Sequence, residues 1–238
     1  MLVDAHCHID LFDNPISTAQ AYESSRTFCV MATMLPSHYQ ISLPHLRPFR
    51  LVYPALGMHP LRVSDGRKEV DLFRNLASAA EFIGEIGLDL SSEGKRTEEQ
   101  QFDVLKSILR YLGSGKFITV HSRNAHEELF QLLEDSRVGP VCFHYFIGGA
   151  KAAAEIAGKG HYFSINYRML RSKHRKLLDS VPKERILVES DGPLLTKQPL
   201  EMINYVYDEL SEIWRMKRNQ AEELVSLNFE NCRTNAIC

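Results

Sequence analysis

The sequence predicts an α/β protein folded as a (β/α)8 barrel, the TIM barrel, and three observations support this fold class. Short apolar runs alternate with longer amphipathic stretches along the chain. The length of 238 residues suits one barrel domain. Histidine and carboxylate side chains follow directly after the apolar runs, where barrel enzymes assemble their active sites. An open, doubly wound sheet is the alternative arrangement of alternating strands and helices.

Eight apolar, β-rich runs are the predicted strands. Parallel strands covered by helices on both faces form such continuous apolar runs. In chain order, the predicted strands span Leu2–Ala5, Phe28–Ala32, Leu51–Leu56, Phe82–Ile86, Phe117–Val120, Val141–Phe143, Tyr162–Ile165 and Ile186–Val188. Amphipathic stretches with helical spacing, such as Glu98–Leu112, lie between them. No linker or repeat divides the chain, so we expect a single domain over residues 1–238.

The overall composition is that of an ordinary globular protein, with 44% hydrophobic and 24% charged residues. The formal net charge of −2 lacks the basic excess that often accompanies nucleic-acid binding. Divalent ions can supply positive charge locally, so this balance weakens a nucleic-acid function without excluding it.

The cysteines favour a reducing compartment. The five of them, an odd number without a CxxC pair, argue against a disulfide framework or a zinc ribbon. Cys7, Cys29 and Cys142 lie in apolar runs and are predicted to be buried thiols, which favours the cytoplasm. We expect no signal peptide and no membrane contact, because no basic-then-apolar leader and no apolar run of spanning length is present.

The ends of the predicted strands carry residues that can bind metal ions. These candidates are His6, His8, Glu85, His121, His144 and Asp191. A His-x-His pair alone is weak evidence, since a solvated pair is the simpler explanation. Six such groups at one barrel rim, in contrast, indicate a metal site, because burying them unpaired would be costly. Imidazole and carboxylate are also the usual ligands of Zn²⁺ and Mn²⁺.

Six ligands fit two ions better than one. A carboxylate can bridge two metals held about 3.5–4 Å apart, and Glu85 is the candidate bridge. The first site would then consist of His6, His8 and Asp191, and the second of His121 and His144. We therefore expect two divalent metal ions, drawn from Zn²⁺, Mn²⁺ or Mg²⁺.

The motifs at the strand ends resemble those of the TatD-like deoxyribonucleases, a family of the metal-dependent, amidohydrolase-like hydrolase superfamily. The similar segments are His6–His8, Gly57–Pro60, Gly84–Asp89, His121–Arg123, His144–Gly148 and Glu189–Pro193, and they extend over nearly the whole chain. The resemblance implies a TIM barrel, divalent metals and hydrolysis of DNA phosphodiesters, often as an exonuclease from a 3′ end. It assigns the metal ligands to the six residues above, and His59 and Glu189 to further active-site positions.

Each further candidate has a functional and a structural interpretation. Asp191 is expected to accept a proton as well as bind metal, or only to bind metal. Glu189 would hold a proton or orient a water, or else only support its neighbours. His59 would contact the scissile phosphate or cap a loop, and Arg123 would clamp a phosphate or pair with a carboxylate of the rim. Glu85, Glu189 and Asp191 are thus the predicted catalytic residues, and His59 and Arg123 the predicted substrate contacts.

The remaining basic and histidine residues receive weaker predictions. A basic segment follows the seventh strand and is either a solvated face or a track for DNA phosphates; it comprises Arg168, Arg171, Lys173, His174, Arg175 and Lys176. The histidines without strand-end context are expected outside the site, and these are His38, His45, His126, His161 and His174.

Two loops depart from the family pattern. Leu90–Gly94 lacks the usual aromatic residue after Gly-Leu-Asp, and Leu194–Pro199 is short and lacks an arginine, so the grip on substrate is expected to be reduced. These short loops, the opening His6–Phe12 and the tract Ser164–Arg171 resemble the TatD-like subunit of four-gene Qat anti-phage cassettes. That resemblance implies a role in antiviral defence with co-encoded protein partners.

Two other functions remain as alternatives to a DNase. The first is an amidohydrolase or deacylase on the same scaffold. Such enzymes often bridge their metals with a lysine, commonly carboxylated, where Glu85 stands, and this favours the nuclease. The second is a subunit of a defence complex that has little activity alone.

Overall fold

The structure, a computed structural model, describes residues 1–113, 115–136 and 138–234. These residues form eight parallel strands: β1 (Leu2–Cys7), β2 (Thr27–Ala32), β3 (Val52–Ala55), β4 (Phe82–Asp89), β5 (Phe117–Arg123), β6 (Cys142–Phe143), β7 (Tyr162–Ile165) and β8 (Ile186–Val188). All eight coincide with the predicted runs, and the largest differences lie at their carboxyl ends.

Helices follow the strands in the order expected for a barrel. The same residues form nine α-helices: α1 (Pro15–Ser24), α2 (Pro36–Leu46), α3 (Arg67–Ala77), α4 (Glu98–Leu109), α5 (His126–Ser136), α6 (Ala150–Gly158), α7 (Tyr167–Leu170), α8 (Pro199–Ile213) and α9 (Arg218–Thr234). Short 3-10 helices, among them Pro60–Asp65 and Lys173–Asp179, lie at the carboxyl ends of strands or after them. Within the described ranges, no helix has both the length and the apolar character needed to cross a membrane.

The strands close on themselves, which confirms the predicted barrel and excludes the open sheet. The ladders run β1-β2-β3 and β4-β5-β6-β7-β8. Strands β3 and β4 are joined by the hydrogen bond from Leu56 N to Phe82 O at 2.9 Å. Beyond the end of β8, Asp191 N donates to His6 O on β1 at 2.9 Å. Both seams are therefore bonded through the backbone.

Strands β4 and β5 run three residues further than predicted. Gly87 pairs with His121 and Asp89 with Arg123, so the polar strand ends continue the ladder up to the rim. Gly87 has φ of 142°, which L-residues rarely adopt, and a Cβ there would overlap the His121 carbonyl oxygen. The glycine thus allows close pairing, and it places metal-binding candidates on rigid strands instead of loops.

The interior of the barrel is apolar at the amino-terminal ends of the strands, and α9 closes this end. Phe82 and Phe117 begin β4 and β5, and both pack with Phe229 of α9 in one buried cluster. The Phe229 ring centroid lies 4.8 Å from that of Phe117 and 5.1 Å from that of Phe28. Burial of these rings supplies the hydrophobic stabilisation at this end. The polar residues of the barrel interior are consequently concentrated at the opposite, carboxyl end.

The cysteines of the described residues are free and buried. They are Cys7, Cys29, Cys142 and Cys232, in agreement with the thiols expected from the apolar runs. Cys238 lies outside the described residues.

Candidate metal centre

The structure brings the six predicted metal ligands together at the carboxyl end of the barrel. His6 and His8 lie on and just after β1, Glu85 on β4, His121 on β5, and His144 and Asp191 just after β6 and β8. Groups of three drawn from this set place their ligand atoms within 4.8 Å of one another. These groups are His6, Glu85 and His144, and His6, His8 and Asp191.

Glu85 lies at the centre of the cluster, and its two oxygens face different histidines. Oε1 lies 2.6 Å from His121 Nδ1 and 2.8 Å from His144 Nε2. Oε2 lies 3.3 Å from His8 Nε2 and 3.6 Å from His6 Nε2. Although burial raises the pKa of Glu85, the surrounding histidines lower it well below its usual value. A charged carboxylate between two imidazole pairs is the arrangement required of a bridging ligand.

Asp191 completes the side of the cluster that contains His6 and His8. Its Oδ1 lies 3.8 Å from His8 Nε2, and within the described part of the chain this buried oxygen has no hydrogen-bond partner. Burial raises the pKa of Asp191 to about 7, although the nearby His144 and His8 lower it. The residue has φ of 49°, an uncommon backbone conformation outside glycine that recurs at functional sites.

The two histidines of β1 are oriented from behind. His8 Nδ1 lies 3.0 Å from the carbonyl oxygen of Ala32, so it donates there and leaves the Nε2 lone pair toward Glu85. His6 Nδ1 lies 2.9 Å from Thr119 Oγ1. Burial, together with the nearby His144, lowers the pKa of His6 to about 4. The His6 imidazole is therefore neutral near pH 7, which is the form that binds metals.

His121 and His144 are each backed by a carboxylate. Asp89 Oδ2 lies 2.9 Å from His121 Nε2 and is hydrogen-bonded to it. Glu189 Oε2 lies 3.5 Å from His144 Nδ1 as an ionic neighbour, and within the described residues this Nδ1 has no hydrogen-bond partner. Burial raises the pKa of Asp89, but the hydrogen bonds from His121 and Ser91 together outweigh it and bring the pKa to about 2. Carboxylates behind metal-binding histidines fix the ring orientation and raise ligand basicity. His121 thus offers Nδ1 to the centre, and His144 offers Nε2.

The donor set fits divalent cations. Imidazole nitrogens and carboxylate oxygens converge with little solvent contact, since His6 and His8 are 0% exposed, Glu85 1% and Asp191 4%. Converging lone pairs and an unpartnered Asp191 oxygen are costly to bury without positive charge. Borderline cations such as Zn²⁺ and Mn²⁺ match these ligands.

His59 is close to the cluster but is set up as a hydrogen-bond donor. It precedes the 3-10 helix Pro60–Asp65, and its Nδ1 accepts from Leu61 N at 3.1 Å. The proton of a neutral ring must then reside on Nε2, which lies 3.5 Å from Glu85 Oε1. The Nδ1 contact is the loop cap that the sequence left as the alternative role of His59. His59 also forms, with Glu85 and His121, a group whose ligand atoms could hold a metal ion, and its contact with substrate phosphate stays a prediction.

Glu189 is enclosed by donors from the protein. Its Oε1 accepts from Tyr145 N at 3.0 Å and from Asn166 Nδ2 at 2.8 Å. Its Oε2 accepts from Ser164 Oγ at 2.5 Å. These contacts, together with the proximity of His144, are those of a positioning carboxylate. The catalytic role assigned to Glu189 stays a prediction, and the geometry favours its structural alternative.

A cavity of about 400 Å³ opens above the cluster. It is lined by the metal-ligand candidates Glu85, His121 and Asp191, which we call its floor. It is also lined by the exposed Arg123 and Arg168 and the half-buried His174, which we call its mouth. Arg123 forms no ion pair with a carboxylate among the described residues, which supports the predicted phosphate contact over the rim salt bridge. His174, which lacks strand-end context, nevertheless lines the cavity, a position compatible with the phosphate-track alternative for the basic segment.

The other histidines expected outside the site do lie outside the cavity. His38 lies 3.6 Å from Asp10, and His126 lies 4.0 Å from Glu127. His161 packs against Phe143, with ring centroids 5.8 Å apart.

Several positioning residues were missed by sequence reasoning. They are Asp89, Thr119, Tyr145, Ser164 and Asn166. Asp89, Tyr145, Ser164 and Asn166 lie in segments already singled out as motifs, but only Asp89 has a signal of its own, since it ends the Gly-Leu-Asp motif after a predicted strand. The others are recognised only by the atoms they contact.

Comparison with known proteins gives a consistent result. A family profile described as TatD related DNase matches residues 3–233. An uncharacterized metal-dependent hydrolase of Methanocaldococcus jannaschii is 29% identical to this chain, over 95% of this chain and 94% of the relative. Deoxyribonuclease TATDN3 of Homo sapiens is 28% identical, over 82% of this chain and 78% of that protein.

Solved structures show the same fold. The TatD homologue YJJV of Escherichia coli superposes with a TM-score of 0.83 at 22% identity, covering 99% of this chain and 98% of that one. A TatD family hydrolase of Entamoeba histolytica gives a TM-score of 0.81 at 15% identity, with coverage of 99% and 98%. At these identities the likeness concerns the fold, and it agrees with the closed barrel.

Proposed function

The chain belongs to the TatD related DNase family of metal-dependent hydrolases, and from that membership we propose that it is a deoxyribonuclease that removes nucleotides from DNA ends. The observation that carries the proposal is the position of Glu85, whose two oxygens face separate imidazole pairs. Two-metal sites with a bridging carboxylate are typical of phosphodiester hydrolysis.

The residues around Glu85 could form two ligand sets. His6, His8 and Asp191 would hold one divalent ion, and His121 and His144, which both approach Glu85 Oε1, the other, with Glu85 shared. Ions bound there supply Lewis acidity and activate water near neutral pH. Zn²⁺ or Mn²⁺ is proposed ahead of Mg²⁺, because four imidazoles favour transition metals.

The protein's own groups provide proton transfer and charge stabilisation. The unpartnered Asp191 Oδ1 is available, within the described residues, to accept a proton from the attacking water. His59 directs its Nε2 proton toward the cavity floor, where it would donate to a phosphate oxygen. Arg123 at the mouth would neutralise phosphate charge. Asp89 and Glu189 would keep the metal-binding histidines oriented.

The size of the cavity supports attack at a strand end. A volume of about 400 Å³ is in the range of small-molecule sites, enough for one nucleotide and too small for a duplex. A cavity of this size is compatible with a single inserted strand end, which supports the proposed exonuclease over an enzyme that binds duplex DNA.

An amidohydrolase or deacylase is the competing function. The same scaffold supports amide hydrolysis, and the ligand set alone does not distinguish the two reactions. The basic mouth with Arg123, Arg168 and His174 favours a phosphate-containing substrate. Assays of hydrolysis on DNA and on N-acyl amino acids therefore distinguish the two functions.

We expect the purified protein to contain one to two transition-metal ions per chain and to lose them, with its nuclease activity, on chelation. The measurement is elemental analysis combined with hydrolysis of single strands labelled at the 3′ or the 5′ end, with Zn²⁺, Mn²⁺ and Mg²⁺ re-added separately. Release of the 3′ label first would give the direction of attack.

Two results would contradict this proposal. Protein without bound metal and with EDTA-resistant activity would disprove the metal centre. Hydrolysis of N-acyl amino acids without hydrolysis of DNA would replace the nuclease with the amidohydrolase. RNA strands of the same sequence serve as the control for the choice between DNA and RNA.

We also propose that this nuclease acts in cytoplasmic anti-phage defence together with co-encoded proteins. The support is the resemblance of His6–Phe12 and Ser164–Arg171 to the Qat subunit, and the four buried free thiols are compatible with that compartment. The short Leu194–Pro199 loop exposes Leu194 at 56%, which leaves an apolar contact beside the cavity.

If partners complete the grip on substrate, the isolated chain should be a weak nuclease. Addition of the proteins encoded beside it should then raise kcat/KM by at least about tenfold, equivalent to about 1.4 kcal/mol. The check is co-purification followed by kinetics on one labelled DNA with and without the partners. Equal activity of the lone chain and no co-purifying protein would refute the partnership but not the nuclease.

A further inference from the structure

Arg168 is held across the mouth of the cavity by a neighbouring phenol and a backbone carbonyl. Its Nε donates to Tyr167 Oη at 3.2 Å, and its Nη2 donates to the carbonyl oxygen of Leu195 at 3.4 Å. Tyr167 Oη donates to the same carbonyl oxygen at 2.9 Å. These bonds connect the segment after β7 to the loop after β8, so the guanidinium is positioned before any ligand arrives.

The contacts with Tyr167 and Leu195, called the brace below, leave most of the N–H donors of Arg168 free. Arginine has five N–H donors in a planar fork, and the hydrogen bonds to Tyr167 and Leu195 use two of them. Arg168 is exposed, lines the cavity and forms no ion pair among the described residues. A preoriented, unpaired guanidinium is well suited to binding a phosphate in a bidentate manner.

Two further basic residues lie around the same mouth as Arg168. Arg123 at the end of β5 and His174 in the 3-10 helix Lys173–Asp179 also line the cavity. Within the described ranges, neither of them pairs with a carboxylate, and the carboxylates that line the cavity are Glu85 and Asp191 of its floor. The cavity therefore has an anionic, metal-binding floor below a cationic mouth.

We propose that Arg168, with Arg123 and His174, forms a second phosphate subsite that binds the phosphate next to the scissile one. This proposal rests on the proposed nuclease function. The metal-binding floor would receive the scissile phosphate, and the mouth its neighbour along the strand. The preferred substrate is accordingly a strand end with at least two phosphates, and a single phosphodiester is a poor one.

The test pairs a variant with a substrate that lacks one charge. Metal-loaded wild-type protein and Arg168→Gln are titrated into a labelled single-stranded pentanucleotide with phosphorothioate linkages, which keep the charge and resist hydrolysis, and Kd is measured by fluorescence anisotropy. In a second series, a neutral methylphosphonate replaces one linkage at a time. Rates of hydrolysis are measured on the same sequences with ordinary linkages.

Arg168→Gln is expected to raise Kd by about tenfold on the charged strand, as for loss of a charge-assisted contact. At one linkage, the methylphosphonate should weaken wild-type binding by a similar factor and cause no further loss in Arg168→Gln. Arg110→Gln, an exposed arginine at the end of α4 outside the cavity, is the matched control and should bind like the wild type.

Independent losses at every linkage, or an unchanged Kd in Arg168→Gln, would overturn the subsite. Position-specific coupling supports it. If no DNA is hydrolysed by the wild type, the nuclease proposal fails, while the binding series still decides whether Arg168 contacts a phosphate. Tyr167→Phe, which removes the brace and keeps the charge, should give a smaller loss at the same linkage.

Discussion

Glu85→Gln is expected to lower kcat/KM on DNA by at least about 10³-fold and to reduce the bound metal to one ion per chain or fewer. The substitution keeps the shape of the side chain but removes its negative charge. Both oxygens of Glu85 face imidazole nitrogens, at 2.6 Å for His121 and 3.3 Å for His8. An amide can present only one oxygen, so it cannot bridge two ions.

The measurement is metal content by elemental analysis, followed by hydrolysis of the labelled strand at increasing metal concentration. Glu81→Gln is the matched control, because Glu81 is an exposed residue directly before the same strand, at the opposite end of the barrel. It should retain wild-type metal content and rate. A Glu85→Gln protein with both ions and full activity would exclude the bridging role.

Asp191→Asn is expected to lower kcat by about 10²- to 10³-fold even at saturating metal. The Oδ1 atom lies 3.8 Å from His8 Nε2 and has no hydrogen-bond partner within the described residues. The substitution removes a charged ligand and the proposed proton acceptor together. At saturating metal the weaker ligation is compensated, so the remaining loss reports on proton transfer.

Asp179→Asn, an exposed aspartate at the end of a 3-10 helix, provides the comparison and should behave as the wild type. The decisive measurement is kcat as a function of metal concentration. If excess metal restores the wild-type kcat in Asp191→Asn, then Asp191 is a ligand only, and another group takes the proton.

The sequence alone was sufficient for the barrel and for bringing the six candidate metal ligands together at one rim. Buried parallel strands leave long apolar runs, and side chains at their carboxyl ends must meet at one rim once the barrel closes. Glu85 and His121 could thus be placed together although they are 36 positions apart. His144 was a candidate ligand and His161 was not, because only His144 follows directly after a predicted strand.

Strand length and ring orientation were decided by the tertiary structure. β4 extends to Asp89 because its polar end pairs with that of β5, and no apolar pattern marks such a continuation. Which ring nitrogen a histidine presents to the centre depends on what contacts its other ring nitrogen. Asp89 lies behind His121, and a hydrogen bond from Leu61 N occupies one nitrogen of His59.

The cavity mouth also could not be derived from the sequence. Arg168 and His174 belong to one basic segment, and the sequence gives no pattern that distinguishes its solvent-exposed side chains from those that line a cavity. The fold directs these two into the cavity, because α7 and the following 3-10 helix turn back over the rim and because Tyr167 holds Arg168 to Leu195. Local pattern determined which residues are buried and which strand ends meet. Contacts between loops that are distant along the chain determined which basic side chains line the cavity, because no periodicity constrains them.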